Sequence, residues 1–464
     1  MIKRLPLALL SAAVLSACAV GPDYQRPDLA LPGVFPAQQD AKTVSKNDAW
    51  WHIYQDTVLN QLEDEALQHN ADMQLAVSRI DEARAQADAV GANLYPTVSA
   101  SVSANRTKRS LATATSLPTT TFGRITNDRM ATLDVSYELD LWGRLRRSNE
   151  AAQAQLLGAE SARDTVRLSL TAEVAQQYFA LLAYTEQEAL LKRALEGREK
   201  ALELQRKRAE LGVISNFDIH AAETEAAAFR AEQAAMTQAR EQQEAVLAVL
   251  LGRSPRDVMQ ANFARGTPAT PGVVAIPEGL SSELLLQRPD VREAEQQLVA
   301  FNANIGAVRA QMFPSVSLTG YLGGESAKFS DLFTSPAGIF QFAANLTQPL
   351  FNAGGLQATI RAAEAQRDQA LIIYKQTVAA AFSDVRNALS GQEAARRTLE
   401  AAIASDQAMT RAYEQIQARY KAGVSSQLDL LDAERNALQA GVTRRDAERA
   451  QRSAVANFYK AIGG

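Results

Sequence analysis

The sequence has few of the side chains that catalytic and metal sites use. Of its 464 residues one is cysteine, Cys18, and three are histidine. The histidines are scattered and have no thiol or carboxylate at metal-ligand spacing. One thiol excludes a disulfide within the chain, and no glycine-rich phosphate loop is present. We therefore expect neither an enzyme nor a bound cofactor.

Long apolar runs and an excess of basic charge are absent too. No segment beyond the N-terminus is apolar over 18 residues, so the sequence predicts no transmembrane helix. Lys and Arg number 48 against 52 Asp and Glu, which argues against a nucleic-acid partner. Any part of the mature chain that enters a bilayer must therefore do so as β-strands.

The N-terminus has the pattern of an export signal. Lys3 and Arg4 precede an apolar run over residues 5–15, and small residues lead to Cys18, which predicts a signal peptide over residues 1–17. The stretch LSAC resembles the signal of a bacterial lipoprotein, in which the cysteine is acylated. We expect a covalent lipid, N-palmitoyl and S-diacylglycerol, on Cys18. Neither of the next two residues is Asp, which points to the outer membrane.

The two halves of the sequence repeat each other. NADMQLAVSRI aligns without gaps with RPDVREAEQQL, and ELGVISNFDIHAAE aligns with KAGVSSQLDLLDAE. The second alignment pairs Gly212 with Gly423 and Asp218 with Asp429. An internal repeat indicates that the two halves of the chain form copies of the same structural unit. We predict a lipidated segment over residues 18–56, a first repeat over 57–252, a connector rich in Pro and Gly over 253–280, and a second repeat over 281–464.

Four segments alternate polar and apolar residues. They cover residues 96–105 and 130–140 in the first repeat, and 314–323 and 340–348 in the second. The alternation predicts strands with one polar and one apolar face, and about ten residues is the length of a tilted membrane strand. A soluble sheet packed on a core is the alternative, but no other segment offers a covering face. The polar insertions 105–129 and 323–338 are expected to be extracellular loops.

Proline-free stretches rich in Ala, Glu, Gln, Arg and Leu predict four long helices. A helix over 143–211 would be about 100 Å long, so it must pack lengthwise on others. The turns between paired helices, near 212–216 and 423–426, are predicted helix tips, where Gly212 and Gly423 suit a left-handed turn. The four helices are predicted over residues 143–211, 217–250, 355–421 and 426–460.

Four strands cannot close a sheet on themselves, and lipid tolerates no unpaired sheet edge. We therefore expect the chain to pair its sheet with further copies of itself. Two copies would give eight strands with a filled interior, whereas three give twelve strands and leave room for a lumen. The small polar residues of the polar face suit a water-filled lumen, so a trimer is the favoured assembly.

Several segments, in order along the chain, resemble one known family. They are CAVGPDYQRP, IPEGLSSELLLQRPDVREAE, QPLFNAGGLQA, QARYKAGVSSQLDLLDAERNAL and FYKAIGG. They resemble the TolC-like outer membrane factors, in particular the lipoprotein branch (NodT-type) of multidrug efflux systems. The resemblance implies an α+β membrane protein: a homotrimer with a twelve-stranded transmembrane β-barrel, a long α-helical barrel in the periplasm and a mixed equatorial region that contains the connector.

The function that this resemblance implies is a passive exit channel for drugs and other small toxic compounds in a tripartite efflux pump. Its partners would be a periplasmic adaptor (membrane fusion) protein, an inner-membrane pump of the RND type and outer membrane lipid. The chain lacks a nucleotide-binding motif, so the energy must come from a partner. Two alternatives are an exit channel for type I protein secretion and a periplasmic lipoprotein scaffold without a pore.

The resemblance also implies a periplasmic gate. In the family, aspartates that match Asp218, Asp429 and Asp432 line the closed entrance, and a tyrosine that matches Tyr420 takes part in the closing contacts. The sequence departs from some members at Ser425, where they have an arginine. Acids in a first helical turn also favour the helix dipole, and this is the alternative role for these aspartates.

Aromatic residues lie where the predicted strands meet the predicted helices. They are either an interfacial belt or packing between the sheet and the helices. These residues are Tyr95, Trp142, Phe313 and Phe351.

Overall fold

The computed structural model describes residues 19–29, 31, 42–43, 49–110, 112, 125–271, 274–275 and 282–464. The predicted lipid site, Cys18, lies outside the described residues. The chain divides into two compact units. The first comprises Met1–Asp28, as far as it is described, with Ile80–Ala159 and Ala294–Tyr374; the second comprises Leu29–Arg79, Glu160–Glu293 and Lys375–Gly464.

Seven helices of 13 or more residues account for most of the described residues. The four long ones begin and end within two residues of the predicted bounds, because proline-free, alanine-rich sequence favours the helix throughout. Shorter helical turns cover Trp50–Tyr54, Pro255–Met259 and Ser282–Gln287. The seven are α1 (Thr57–His69), α2 (Ala71–Ala92), α3 (Arg144–Glu210), α4 (Asn216–Leu250), α5 (Pro289–Ala310), α6 (Gly355–Lys421) and α7 (Gln427–Ile462).

Within the first unit, four strands form one antiparallel sheet in the order β1-β2-β3-β4. The strands are longer at the ends joined by hairpin loops than the alternating pattern predicted. Backbone pairing continues past that pattern, with Lys108 opposite Ile125 and Arg129 opposite Ser326. The strands are β1 (Thr97–Lys108), β2 (Ile125–Leu139), β3 (Ser315–Ser326) and β4 (Gly338–Thr347).

The first described residues are held by hydrogen bonds to other segments of the first unit. The buried Glu295 carboxylate of α5 accepts hydrogen bonds from the Tyr24 hydroxyl at 3.0 Å and from the Arg26 guanidinium at 2.7 Å. The Asn302 amide donates to the Pro22 carbonyl at 2.9 Å, and the Val20 amide donates to the Trp142 carbonyl at 3.0 Å. The segment that follows Cys18 is therefore fixed to the first unit by specific hydrogen bonds.

An aromatic cluster forms the core of the second unit. Trp50 stacks on Tyr459, with ring centroids 5.3 Å apart, and Tyr54 meets the edge of Phe179 at 4.7 Å. Burial of each such side chain stabilises the fold by about 2 kcal/mol. Beside this cluster, Asp56 caps α1 by accepting from the Val58 and Leu59 amides.

Two of the four predicted boundary aromatics pack together. Trp142 stacks on Phe313, with centroids 4.8 Å apart, and its indole N–H donates to the Pro314 carbonyl at 2.7 Å. Tyr95 and Phe351 are instead 71% and 89% exposed. The packing role is therefore observed for Trp142 and Phe313, and it is not observed for Tyr95 and Phe351.

None of the helices in the described ranges combines the length and the apolar composition needed to cross a membrane.

Candidate functional site

Each pair of long helices is joined by a tight left-handed turn. Gly212 follows α3 and Gly423 follows α6, with φ angles of 71° and 74°. In both turns, the amide of the residue after the glycine donates to the carbonyl five residues back over 2.9 Å. This is the Schellman arrangement, which favours glycine because a Cβ is strained at positive φ.

Asp218 and Asp429 each complete a capping box at the start of the next helix. The Asp218 carboxylate accepts from the Ser215 amide at 3.1 Å, and the Asp429 carboxylate accepts from the Ser426 amide at 2.9 Å. Hydrogen bonds from the Ser426 side chain and backbone lower the pKa of Asp429. Both aspartates therefore have the capping role, and Asp429 stays ionised well below neutral pH.

The other two predicted gate residues also lie near the tips. Asp432 is one turn beyond Asp429 and forms an ion pair with Arg435 on the same helix at 3.0 Å. Tyr420 is half-buried in the last turn of α6, and its carbonyl accepts from the Gly423 amide at 2.9 Å.

An apolar groove of about 640 Å³ lies beside the tips in the second unit. Phe217 of α4 and Leu428 and Leu431 of α7 line it, together with Arg198 of α3. Phe217 is 79% exposed, so part of the apolar lining of this groove is open to solvent. This groove was not predicted from the sequence, in which apolar residues in the first turn of each helix are its one signal.

A polar seam joins α3 to α7 within the second unit. As residue numbers rise on α3 they fall on α7, so the two helices pack antiparallel. Arg198 and Gln205 are buried along this seam. Its contacts are Gln176–Asn457 at 3.2 Å, Glu186–Arg445 at 3.4 Å, Arg198–Glu434 at 3.3 Å and Gln205–Gln427 at 2.6 Å.

Arg198 connects three helices at this seam. Its guanidinium pairs with Glu434 of α7 and lies 5.2 Å from the centroid of the Phe229 ring of α4. Burial raises the pKa of Glu434, an effect that Arg198 opposes and Glu225 reinforces. This pair was not predicted from the sequence, because it depends on the register of two helices that are distant in the chain.

The register of the sheet separates its side chains by polarity. Directly paired residues lie on the same face, as Val98 does with Val135 and Leu322 with Phe340. This face is apolar along most of every strand and is open, with Val102 73% and Phe342 81% exposed. The opposite face carries mainly Ser, Thr, Asn and Gln.

The charged residues of the strands also separate by face. The acids Asp128, Asp134, Glu138 and Glu325 lie on the polar face. The cations Arg106, Lys108 and Arg129 lie on the apolar face, at the end where the hairpin loops connect the strands. The sequence analysis did not single out these cations, although they end the alternating pattern in β1 and β2.

Within the described ranges, no three His, Cys, Asp or Glu side chains are grouped so that they could hold a metal ion. The geometry thus offers surfaces and turns rather than a cluster of catalytic groups.

Comparison with known proteins gives consistent matches over the whole chain. A family model described as outer membrane efflux protein matches residues 62–253 and 280–464. TtgC of Pseudomonas putida, a probable efflux pump outer membrane protein, is 33% identical over 476 residues, covering 100% of this chain and 96% of that protein. SilC of Salmonella typhimurium, a probable outer membrane lipoprotein, is 31% identical over 475 residues, covering 100% and 99%.

A solved structure extends this similarity to the fold. The open state of the MtrE outer membrane channel of Neisseria gonorrhoeae has a TM-score of 0.82 to this chain at 34% identity. The match covers 96% of this chain and 98% of that one.

Proposed function

The chain belongs to the outer membrane efflux protein family, and we propose that it is the passive exit channel of a tripartite efflux pump for drugs and other small toxic compounds. The register of the sheet carries this proposal, because it gives four strands of 10 to 15 residues one apolar and one polar face. Such strands suit lipid on one side and a water-filled lumen on the other.

We propose a homotrimer as the working assembly. In the described sheet, β1 and β4 are the outer strands, each paired on one side. Unpaired backbone groups are costly in lipid, so pairing of β1 with β4 of a neighbouring copy would satisfy both edges. Three copies supply twelve strands, enough to enclose a lumen.

The periplasmic entrance is proposed to lie at the helix tips turned by Gly212 and Gly423. Threefold symmetry would bring Asp218, Asp429 and Asp432 of three copies together, where like-charge repulsion is sensitive to bound cations. Like-charge repulsion among these carboxylates would make the entrance sensitive to pH as well as to cations. Tyr420 is assigned to the closing contacts.

The gate proposal is tested by single-channel conductance of Asp429→Ala combined with Asp432→Ala. We expect a larger conductance and a weaker effect of added divalent cations. Asp446→Ala is the matched control, since Asp446 lies farther along the same helix in an exposed pair with Arg449. Unchanged conductance in the double variant would refute the gate assignment.

We propose that residues 1–17 are removed and that Cys18 carries the lipid. Two facts support a lipid anchor here: the segment from Ala19 onward is bound to the first unit, and the similar protein SilC is named a lipoprotein.

The repeats over 57–252 and 281–464, with the connector 253–280 between them, remain our proposal for the domain organisation. The two family matches nearly coincide with these repeats.

The proposed partners are a periplasmic adaptor and an inner-membrane RND-type pump, which would supply the energy. The exposed apolar groove at the tips suits a protein partner. We propose no enzyme activity for the chain itself.

Deletion of the gene tests the proposed cargo. We expect the strain to become several-fold more susceptible to small toxic compounds, with normal levels of secreted proteins, and a plasmid copy to restore resistance. Loss of a secreted protein with unchanged susceptibility would instead identify a secretion channel.

A further inference from the structure

Three cations stand apart from the other charges of the sheet. Arg106 and Lys108 lie two residues apart on β1, and Arg129 on β2 is opposite Ala104, next to Arg106 on the same face. All three continue the apolar face rather than the polar one. On the paired positions of this face in all four described strands, there is no Asp or Glu.

The sheet does not neutralise these cations. Arg106 and Lys108 are exposed, and the Arg129 guanidinium donates to the backbone carbonyl of Ala327. The nearest acids along the strands, Asp128 and Glu325, are on the opposite face. Three positive charges thus border an apolar surface with no negative partner on the same face of the sheet.

The position of the cations along the strands indicates which lipid they meet. Within the first unit, the strands join helices at one end and hairpin loops at the other, and the cations lie at the loop end. If the helices extend into the periplasm, as the proposed function requires, the loop end faces the outer leaflet. There the apolar face contacts the acyl chains of the lipid. The three cations lie beyond most apolar residues of that face, toward the hairpin loops, and so at the level of the lipid headgroups.

We propose that Arg106, Lys108 and Arg129 form a basic band that binds the phosphate groups of phosphorylated glycolipid in the outer leaflet. Phosphate is the complementary ligand because it forms charge-assisted hydrogen bonds with guanidinium and ammonium groups. A headgroup with two phosphates engages adjacent cations together, whereas an uncharged headgroup gains nothing from them. This inference rests on the proposed function for its orientation in the membrane.

The test measures glycolipid retention by the full-length protein in detergent, using native mass spectrometry. The probes are a bisphosphorylated disaccharide glycolipid and its fully dephosphorylated form. The variant combines Arg106→Gln, Lys108→Gln and Arg129→Gln. The control combines Lys192→Gln, Lys200→Gln and Arg411→Gln, which removes the same charge from exposed positions on the long helices.

We expect the band variant to lose about ten-fold or more in affinity for the phosphorylated lipid, as loss of charge-assisted contacts predicts, and to bind the dephosphorylated lipid as the wild type does. The control should match the wild type with both lipids. Equal binding of the phosphorylated lipid by all three proteins would overturn the proposal. So would an equal loss for both lipids, which indicates damage to the sheet, or full competition by millimolar inorganic phosphate, which indicates a site for free anions.

Conductance of the same proteins separates this inference from the proposed function. The band variant should form channels of wild-type conductance, since the cations lie on the face away from the lumen. Phosphate-dependent lipid binding by a wild-type protein that never conducts would refute the channel and leave the lipid band in place.

Discussion

Among single residues, Glu63 of α1 is the least expected feature of the chain. Its carboxyl group is fully buried, and neither oxygen has a hydrogen-bond partner in the described structure. Burial, reinforced by the charge of Asp64, raises the pKa of Glu63 well above its usual range. Above the pKa of the unfolded chain, the unfolded state ionises while the folded state does not, so stability falls as pH rises.

Glu63→Gln should therefore raise the thermal midpoint of the detergent-solubilised protein at neutral and alkaline pH. The gain should vanish well below the ordinary glutamate pKa of about 4.3, where the carboxyl group is protonated in both states. Circular dichroism melts across this pH range measure it. Glu65→Gln is the control on the same helix: it removes the ion pair with Arg253, at 2.7 Å, and should lower the midpoint. A pH-independent difference for Glu63→Gln would contradict this explanation.

Local sequence rules accounted well for individual tip residues. Acids in the first helical turn were predicted to line a gate or to favour the helix dipole, and the structure shows that Asp218 and Asp429 also close capping boxes there. Glu63 could not be predicted in this way. Nothing near it in the sequence distinguishes a buried carboxyl group from an exposed one, because its surroundings come from distant segments.

At the scale of elements, the two tips depend on glycine for backbone reasons alone. A Cβ added at Gly212 or Gly423 would meet no atom within 4 Å, and the same is true of Gly391 within α6. Only the first two have positive φ angles. The three positions therefore separate backbone strain from crowding.

Gly212→Ala and Gly423→Ala should each destabilise their tip by about 1–2 kcal/mol, the cost of a left-handed non-glycine residue. Gly391→Ala should stabilise its helix by about 0.5–1 kcal/mol. Hydrogen exchange of the amides around each site measures the local opening. Slower exchange at a tip after its Gly→Ala substitution would show that the turn does not require positive φ.

The seam between α3 and α7 is the element contact most sensitive to a single charge. Glu434→Gln would leave the buried Arg198 without a counter-charge. Breaking a fully buried pair costs about 3–5 kcal/mol, and less here because the Glu434 side chain is 25% exposed. We expect faster hydrogen exchange in the first turns of α7 and longer channel openings.

Glu186→Gln is the matched control on the same seam, since Glu186 is 50% exposed and such pairs contribute about 0–1 kcal/mol. An equal effect of both substitutions would mean that burial of the Arg198 pair has no special role.

The sequence predicted whether a segment is a helix or a strand better than it predicted where the strands end or which helices contact each other. Helix composition predicted the long helices to within two residues, since nothing in them interrupts the backbone pattern. The strands run past the alternating pattern, because the hydrogen-bond ladder continues where Arg129 and Ser326 pair regardless of polarity. The helix seam was beyond prediction, because the sequence does not specify which faces of two long helices meet.

For the whole molecule, the α+β channel fold, the efflux role and the outer membrane location predicted from the sequence are confirmed by family membership and by the similar structures. The alternating strands and the long helices carried the prediction of membrane strands and self-association, whereas the family resemblance carried the efflux role and the lipoprotein-like signal carried the outer membrane location. The segregation of charge across the sheet needed the strand register, which places Asp134 opposite Tyr321 on the polar face and Arg129 on the other. Assembly of three copies stays a prediction, drawn from the free edges of β1 and β4.

The central claim is a trimeric channel, and one measurement tests it most directly: single-channel conductance of the purified protein in a planar bilayer, with its mass in detergent determined on the same preparation. We predict particles of three chains, each about 50.2 kDa before processing, with discrete openings that prefer cations because the strand acids lie on the polar face. Monomeric particles without conductance would contradict the channel and leave a lipid-anchored scaffold.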